Sequence, residues 1–298
     1  KNSIGLKIIP SSKLNKEKVW LSPWELMDGR RLEVFQLKML LRLEECITNQ
    51  MPESLLLYKE ALYSESIDAP SLSVLKKEVW YNKVDLFYKS TALYVFGFIF
   101  LCLSYLFKPV LLSRLAGLFL LSGFMLHGIG LYLRMVIMAR PPVTTLYESI
   151  IFVGFVAVFL SIIIELFKKD QIGILIGTIS GAIFHFVSFG YAADGDTLGM
   201  LVAVLNSNFW LATHVTTMTM GYGVSIIAGI MGHIYLIYSI IHPGETKKLR
   251  EIYDNTFGIT ILALFFTVFG TILGGIWADQ SWGRFWGWDP KENGALLI

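Results

Sequence analysis

The sequence predicts an all-α integral membrane protein: a helical bundle of six complete spans plus a truncated seventh, with a small helical extramembrane segment at the N-terminus. Two observations predict this fold class. Of the 298 residues, 54% are hydrophobic and only 16% are charged, whereas soluble proteins carry about a quarter charged residues. In addition, long and nearly uncharged runs recur from residue 86 onward, each close to the ~20 residues that a helix needs to cross a bilayer.

The polar part of the chain is residues 1–85, where thirteen Lys/Arg and twelve Asp/Glu occur. Apolar side chains recur there at helical spacing between residues 33 and 47. We therefore expect 1–85 to be a helical segment outside the membrane, 86–110 a connecting transmembrane helix and 111–298 the main transmembrane domain. The chain starts without methionine and stops inside a new apolar run, so we expect a fragment at both ends.

Six complete spans are predicted from the apolar runs, and a seventh begins near Pro290 and is cut off. Their approximate limits are Leu86 to Phe107, Leu111 to Met138, Leu146 to Phe167, Gln171 to Tyr191, Trp210 to Ile241, and Thr256 to Trp277.

Basic residues predict the orientation of these spans, because cytoplasmic loops are enriched in Lys and Arg. Lys and Arg cluster in alternate loops, whereas the loop 192–209 carries Asp194 and Asp196 and no basic residue. That loop, residues 1–85 and the end of the sixth span are expected outside. Arg140, Arg284 and Lys291 also fall in the outer loops, so the bias is moderate.

The most informative stretch is residues 277–292, which we call the Trp-rich segment. It holds four of the eight tryptophans within twelve positions, more than an interfacial aromatic belt requires. Indoles stack on flat ligands, and the interleaved Gly283 and Gly287 let a ligand approach the backbone. Asp289, Pro290 and Glu292 also have the spacing of a helix-capping box, which we expect to form whatever else they do.

Within this segment, Trp282-Gly-Arg-Phe-Trp-Gly-Trp-Asp-Pro-Lys-Glu292 resembles the WWD signature of heme-handling membrane proteins. The resemblance is strongest to the CcsA (ResC) family of System II cytochrome c biogenesis. Two further segments, residues 140–149 and 209–218, are similar to that family's motifs, and the likeness extends from about Leu111 to the end of the chain. The polar region and first span are consistent with a fused upstream partner of the CcsB (ResB) type.

The resemblance implies that heme b is the ligand and that His214 is an axial ligand of its iron, a role that neutral imidazole commonly takes. The implied cofactor-binding residues are His214, Trp277, Trp282, Gly283, Arg284, Phe285, Trp286, Trp288, Asp289 and Glu292. In the family an intramembrane histidine and a second outward histidine follow the signature. This chain ends first, so a two-histidine site is not expected from it alone.

Other ionisable residues have a structural and a functional interpretation. His127 and Arg134 lie seven residues apart in the second span and so share a helical face. They either mark a pathway through the membrane or are hydrogen-bonded packing residues. Arg284, Arg140 and Arg134 are candidates to hold the heme propionates, with Glu148 as a partner for one of them; snorkelling to headgroups is the alternative. His185 is a weaker candidate of the same kind, whereas His233 is interpreted as a packing or hydrogen-bonding residue and His242 as part of a loop.

The resemblance implies heme delivery at the outer face of the bacterial cytoplasmic membrane, with presentation to a Cys-x-x-Cys-His site of apocytochrome c. Apocytochrome c, a CcsB/ResB-like protein and membrane lipid are the expected partners. Nothing indicates nucleic acid, and Cys46 and Cys102 form no Cys-x-x-Cys-His site in the chain itself. No acid or base residue is assigned. The alternatives are a System I heme exporter that loads a chaperone, a membrane electron-transfer protein using His127 and His185, and a transporter of another small molecule.

Overall fold

The computed structural model describes residues 34–49, 72–107, 109–192 and 207–297, together with six isolated positions nearer the N-terminus: Ile9, Ser22, Pro23, Leu56, Tyr58 and Glu60. Throughout these residues the regular elements are helices and no β-strand occurs. The prediction of an all-α protein is therefore confirmed.

The chain divides into two compact units, residues 1–76 and 77–298. In the first unit, helix α1 (Val34–Asn49) is amphipathic. Phe35 and Met39 are buried against Ile9, while Val34 is 86% exposed. Leu40 and Tyr58 pack against the same small cluster. The helix predicted between residues 33 and 47 is thus present, with a core of its own.

In the described part of the chain, six helical stretches are long and apolar enough to cross a membrane, which supports a multi-pass membrane protein. Helix α2 (Leu72–Val84) leads into α3 (Leu86–Leu106) through Asp85, whose φ of 50° is left-handed. The following helices are α4 (Pro109–Met138), α5 (Leu146–Lys168), α6 (Ile172–Gly190), α7 (Thr216–Ile241) and α8 (Thr246–Trp282). Two short segments, Asn208–Trp210 and Leu211–Val215, precede α7, and α9 (Pro290–Ala295) follows α8.

Small residues allow neighbouring helices to approach closely, as is usual in membrane bundles. Helix α3 packs on α4 and α6, α5 packs on α6 and α7, and α7 packs on α8. A Cβ atom on Gly173 would lie 2.4 Å from the Ser161 backbone oxygen, and one on Gly221 would lie 2.7 Å from Cγ2 of Thr267. The glycines therefore set the α5–α6 and α7–α8 contacts.

Consecutive long helices run antiparallel, so every second connection between them lies at the same end of the bundle. At one end lie the 139–145 connection, the start of α7 and the end of α8; the amide of Asn208 donates to the Ala139 oxygen there at 3.4 Å. At the other end, Lys168 pairs with Glu251 at 3.3 Å and Lys248 with Asp170 at 3.6 Å. The residues predicted to bind a ligand gather at the first end.

Candidate functional site

His214 occupies an irregular helical segment. The chain turns helical at Asn208–Trp210, widens into a π-helix at Leu211–Val215 and then continues as α7. The side chain of Ser207 caps this start by accepting from the Trp210 amide. Single π turns inside α-helices are rare and often lie at functional sites. His214 is thus placed by a local departure from α-helical geometry.

The imidazole of His214 is held in one orientation and one tautomer. Its Nδ1 lies 2.8 Å from the backbone oxygen of Gly270 on α8. Because a carbonyl can only accept, Nδ1 carries the hydrogen, and Nε2 has the free lone pair. Among the described residues no hydrogen bond is made to Nε2. In most metal-binding histidines, the ring nitrogen that does not bind the metal donates a hydrogen bond of this kind, which orients the ring and raises the basicity of the ligating nitrogen.

A stacked pair of tryptophans lies beside this histidine. The rings of Trp210 and Trp277 stack with centroids 6.2 Å apart and planes inclined by 11°. Trp277 also meets His214 edge to face, with centroids 5.8 Å apart. The indole nitrogen of Trp210 donates to Oε1 of Gln280 at 3.1 Å. Trp277 is only 9% exposed, so it supports the imidazole and does not offer a free face.

Three aromatic residues at and beyond the end of α8 are, in contrast, exposed. Trp282 is 58% exposed, Phe285 47% and Trp288 68%. Gly283, with a φ of 69°, ends α8 in the left-handed conformation and donates to the Asp279 oxygen. The exposed rings therefore lie on the last residue of α8 and in the turn that follows it, at the same end of the bundle as His214.

Asp289 and Glu292 hold this turn together through the predicted capping box. The Asp289 carboxylate accepts from the amides of Lys291 and Glu292, each at 2.8 Å. The Glu292 carboxylate accepts from the amides of Gly287 at 2.5 Å and of Asp289 at 3.1 Å. The sequence-based expectation is confirmed, and both carboxylates are engaged in shaping the backbone.

Arg284 and Trp286 contribute polar groups to the turn. A Cβ atom on Gly287 would lie 1.4 Å from Nη1 of Arg284, so the guanidinium lies across the bare backbone of that glycine. The indole nitrogen of Trp286 is buried and has no hydrogen-bond partner among the described residues. Such donors are uncommon and call for a ligand or another partner.

The other predicted ionisable residues lie inside the bundle. Arg134 donates from Nε and Nη2 to Oε1 of Glu148, at 3.2 and 2.8 Å, and from Nη1 to the Tyr81 hydroxyl. Oε2 of Glu148 accepts from Thr144 and from the amide of Thr145. Arg134 is therefore engaged by Glu148, while Arg140 is half-buried just after α4.

His127 and His185 lie next to each other in the interior, and both are fully buried. His127 bonds to the Ile151 oxygen at 3.1 Å and to the Tyr94 hydroxyl at 3.2 Å. The two imidazole centroids are only 4.4 Å apart, which is direct ring contact. No macrocycle fits between them, so this geometry argues against the electron-transfer alternative that used these residues as a pair of axial ligands.

The remaining histidines lie away from the Trp-rich segment. His233 is exposed and bonds to the Gly229 oxygen at 2.7 Å within α7. His242 stacks on Tyr238 at the opposite end of α7, with ring centroids 4.6 Å apart. Sequence reasoning overlooked four residues that contact the site: Gly270, whose oxygen accepts from His214, Gln280, which binds Trp210, and the glycines Gly274 and Gly275 of α8. Only the adjacent glycines in an otherwise apolar helix gave a signal.

A family model described as cytochrome C assembly protein matches residues 143–298, which include His214 and the whole Trp-rich segment. The chain belongs to the cytochrome c assembly protein family. The match begins at the 140–149 segment and covers just over half of the chain. The resemblance drawn from the sequence motifs is therefore confirmed.

Curated relatives of this family agree. Protein NrfI of Wolinella succinogenes is 30% identical over 239 residues, which is 76% of this chain and 26% of NrfI. The cytochrome c biogenesis protein CcsA of Chlamydomonas reinhardtii is 32% identical over 52% of this chain and 46% of its own length. CcsA of Spinacia oleracea is 24% identical over 63% of this chain and 73% of its own length. The chain thus spans about a quarter of NrfI and less than half of the Chlamydomonas protein.

Proposed function

We propose that this chain binds heme b at the outer face of the bacterial cytoplasmic membrane and presents it for covalent attachment to a Cys-x-x-Cys-His site of apocytochrome c. The observation that carries the proposal is the His214 imidazole, whose Nδ1 hydrogen is bound to Gly270. In the neutral imidazole this leaves the Nε2 lone pair free, at the end of the bundle where the Trp-rich segment lies. Cytochrome c assembly is the family's process, and heme is the group that a c-type cytochrome must acquire.

The residues present fit an iron porphyrin. A neutral imidazole is a common axial ligand of heme iron, and the exposed rings of Trp282, Phe285 and Trp288 suit an apolar macrocycle. Arg284 and the unpartnered indole N–H of Trp286 are donors suited to propionate oxygens. When bound, heme supplies vinyl groups to which cysteine thiols add.

The chain's own contribution is position. His214 would hold the iron, the aromatic residues would exclude water from the macrocycle, and the open side of the Trp-rich segment would leave access for the apocytochrome. Holding two reacting groups in one geometry accelerates their reaction without an acid or base residue. A CcsB/ResB-like protein, fused or separate, is the proposed partner, and lipid covers the exposed apolar helix faces.

Heme binding is tested by purifying the full chain and recording its absorption spectrum beside those of two variants. His214→Ala is expected to lose most of the bound heme because the axial nitrogen is removed. His233→Ala, a histidine on the same long helical stretch but exposed and bonded within α7, is the matched control and should retain heme. Equal heme content in both variants would overturn the proposal.

Attachment is tested by co-expressing the chain and a c-type cytochrome reporter and staining for covalent heme after denaturing electrophoresis. The wild-type chain should support more staining than His214→Ala. A chain that binds heme yet never changes the reporter signal would favour the System I alternative, in which heme passes to a chaperone.

Orientation is tested with single cysteines in a background that lacks Cys46 and Cys102. Ser281→Cys, at the exposed end of α8, should react with a membrane-impermeant maleimide added to intact cells. Glu251→Cys, at the opposite end, should react only after permeabilisation. The reverse pattern would place the Trp-rich segment in the cytoplasm and refute the proposed localisation.

A further inference from the structure

Two adjacent glycines of α8 each receive an aromatic ring. A Cβ atom on Gly274 would lie 2.6 Å from Cε1 and 3.0 Å from Nδ1 of His214. A Cβ atom on Gly275 would lie 2.6 to 2.9 Å from Cζ, Cε2 and Cε1 of Phe285. Both distances are far below van der Waals contact, so any side chain at either position must displace a ring.

Consecutive residues of an α-helix point ~100° apart around its axis. Gly274 and Gly275 therefore present neighbouring faces of a single turn, one to the start of α7 and one to the Trp-rich segment. The imidazole and the phenyl ring are seated on the same backbone, one residue apart. A rigid helix turn thus links the position of His214 to that of the segment that holds the exposed indoles.

We propose that Gly274 and Gly275 are positioning residues for heme, Gly274 by setting the direction of the His214 imidazole and Gly275 by seating Phe285 so that the Trp-rich segment lies over it. The inference rests on the proposed function and adds to it. The absence of a side chain at these two positions determines where the axial nitrogen lies relative to the aromatic surface.

The rings that they receive distinguish this pair from the other glycines of the bundle. Each glycine inside a helix costs about 1 kcal/mol relative to alanine, so two in succession weaken α8 near its end. Elsewhere in the bundle, glycines meet a neighbouring helix's backbone or small side chains, as Gly221 does, or a buried ring of the core, as Gly123 and Gly181 do with Tyr94. The nearest atoms to a Cβ on Gly274 and on Gly275 belong instead to His214 and Phe285, the two rings that belong to the candidate site.

The first experiment compares Gly274→Ala with Gly258→Ala in the same helix, where a Cβ atom meets nothing within 4 Å. Gly274→Ala is expected to weaken heme binding ~10–100-fold, the range seen when groups that orient a metal ligand are changed. Its Soret band and reduction potential should also shift, which a loss of general packing alone would not cause in the heme-bound fraction. Gly258→Ala should match wild type in both readouts.

A second measurement keeps the test informative if Gly274→Ala folds poorly. In His214→Gly, free imidazole can occupy the emptied space and supply the axial nitrogen. Imidazole should restore heme binding to His214→Gly alone but much less to His214→Gly combined with Gly274→Ala, because the methyl group fills the same space. Equal restoration in both backgrounds would overturn the role of Gly274.

Gly275 is tested by coupling to its contact. Gly275→Ala should weaken heme binding because the added methyl group displaces the Phe285 ring. Phe285→Ala removes that ring, so adding Gly275→Ala to it should cost little more. Effects that simply add up would show that Gly275 does not act through Phe285 and would overturn that half of the inference.

The proposed function and the positioning role of the glycines are contradicted by different results. If His214→Ala retains heme, the proposed function is wrong. If His214→Ala loses heme while Gly274→Ala keeps wild-type affinity, Soret band and potential, the positioning role alone is wrong.

Discussion

Nη2 of Arg134 lies 2.8 Å from Oε1 of Glu148, and neither side chain is more than 1% exposed. This ion pair joins the C-terminal part of α4 to the first turn of α5. The Tyr147 ring lies against the guanidinium, with its centroid 5.1 Å from Cζ, and the Tyr81 hydroxyl takes another of its hydrogens. A charge pair so completely enclosed has consequences for stability.

Removal of one partner is expected to be severe. Glu148→Ala leaves an uncompensated guanidinium inside the bundle and should destabilise the protein by roughly 3–5 kcal/mol. Replacing both residues by apolar ones, Arg134→Met with Glu148→Leu, should recover much of this loss. Thermal unfolding in detergent measures both. Lys168→Ala, which breaks a partly exposed pair, is the control and should change little; a comparable loss there would contradict the argument.

His127 and His185 should respond differently to replacement by leucine. Both ring nitrogens of His127 are bonded, and His127→Leu leaves the Tyr94 hydroxyl without its acceptor. His185 bonds to Thr91 through Nδ1, but its Nε2 has no partner among the described residues. An abandoned buried group costs about 1–3 kcal/mol, so His127→Leu should be the more destabilising variant by about that amount.

Unfolding midpoints of the two variants decide the point. Equal losses, or a larger loss for His185→Leu, would indicate that Nε2 of His185 has a partner, such as a bound water molecule. Because the two rings are in contact, no heme fits between them. Neither variant should therefore change the heme spectrum.

Asp289 should act on the backbone of the Trp-rich segment. Asp289→Ala removes the acceptor for the amides of Lys291 and Glu292 and should destabilise this turn by roughly 0.5–2 kcal/mol. Hydrogen exchange of the peptide spanning residues 283–297 should accelerate. Asp289→Ser, which retains a capping oxygen, should restore most of the protection. Failure of serine to do so would assign Asp289 a role beyond capping.

Trp288 combines an exposed indole with a left-handed backbone, at a φ of 59°. Left-handed geometry costs a residue with a Cβ atom roughly 1–2 kcal/mol, and glycine avoids that cost. Trp288→Gly should therefore be more stable than Trp288→Ala, although glycine ordinarily destabilises a folded chain relative to alanine. Both should lose heme affinity equally, because both lack the indole. Calorimetry and heme titration separate the two effects, and a lower stability of the glycine variant would refute the backbone argument.

Much of the fold follows from hydropathy, but α8 shows its limit. The sixth span was predicted from Thr256, whereas α8 begins at Thr246. Five charged residues in that first stretch conceal the helix from a hydropathy window, although pairs such as Arg250 with Asp254, at 3.1 Å, belong to a regular helix. The spans predicted from Leu111 to Ile241 agree within a few residues because polar residues border the apolar runs.

At the candidate site, the sequence predicts contacts between residues close in the chain but not contacts between helices. The capping box of Asp289 and Glu292 follows from spacing alone, because its partners lie within three residues. A pairing of Glu148 with an arginine was foreseen, but the choice of Arg134 depends on how α4 and α5 pack. The contacts of Gly274 with His214, and of Trp210 with Gln280, depend on the relative register of α7 and α8. No short-range pattern encodes that register.

The π turn at Leu211–Val215 holds one residue more than an α turn, which shifts the rotational phase of everything before it by ~100° relative to α7. Deleting one residue within the turn would leave a continuous α-helix and swing Trp210 away from Trp277. The extra residue thus lets the first turn take a rotational position that the rest of the helix does not dictate. The length of α7 packs along α5 and α8, while the extra residue turns Trp210 towards Trp277 and Gln280 near the end of α8.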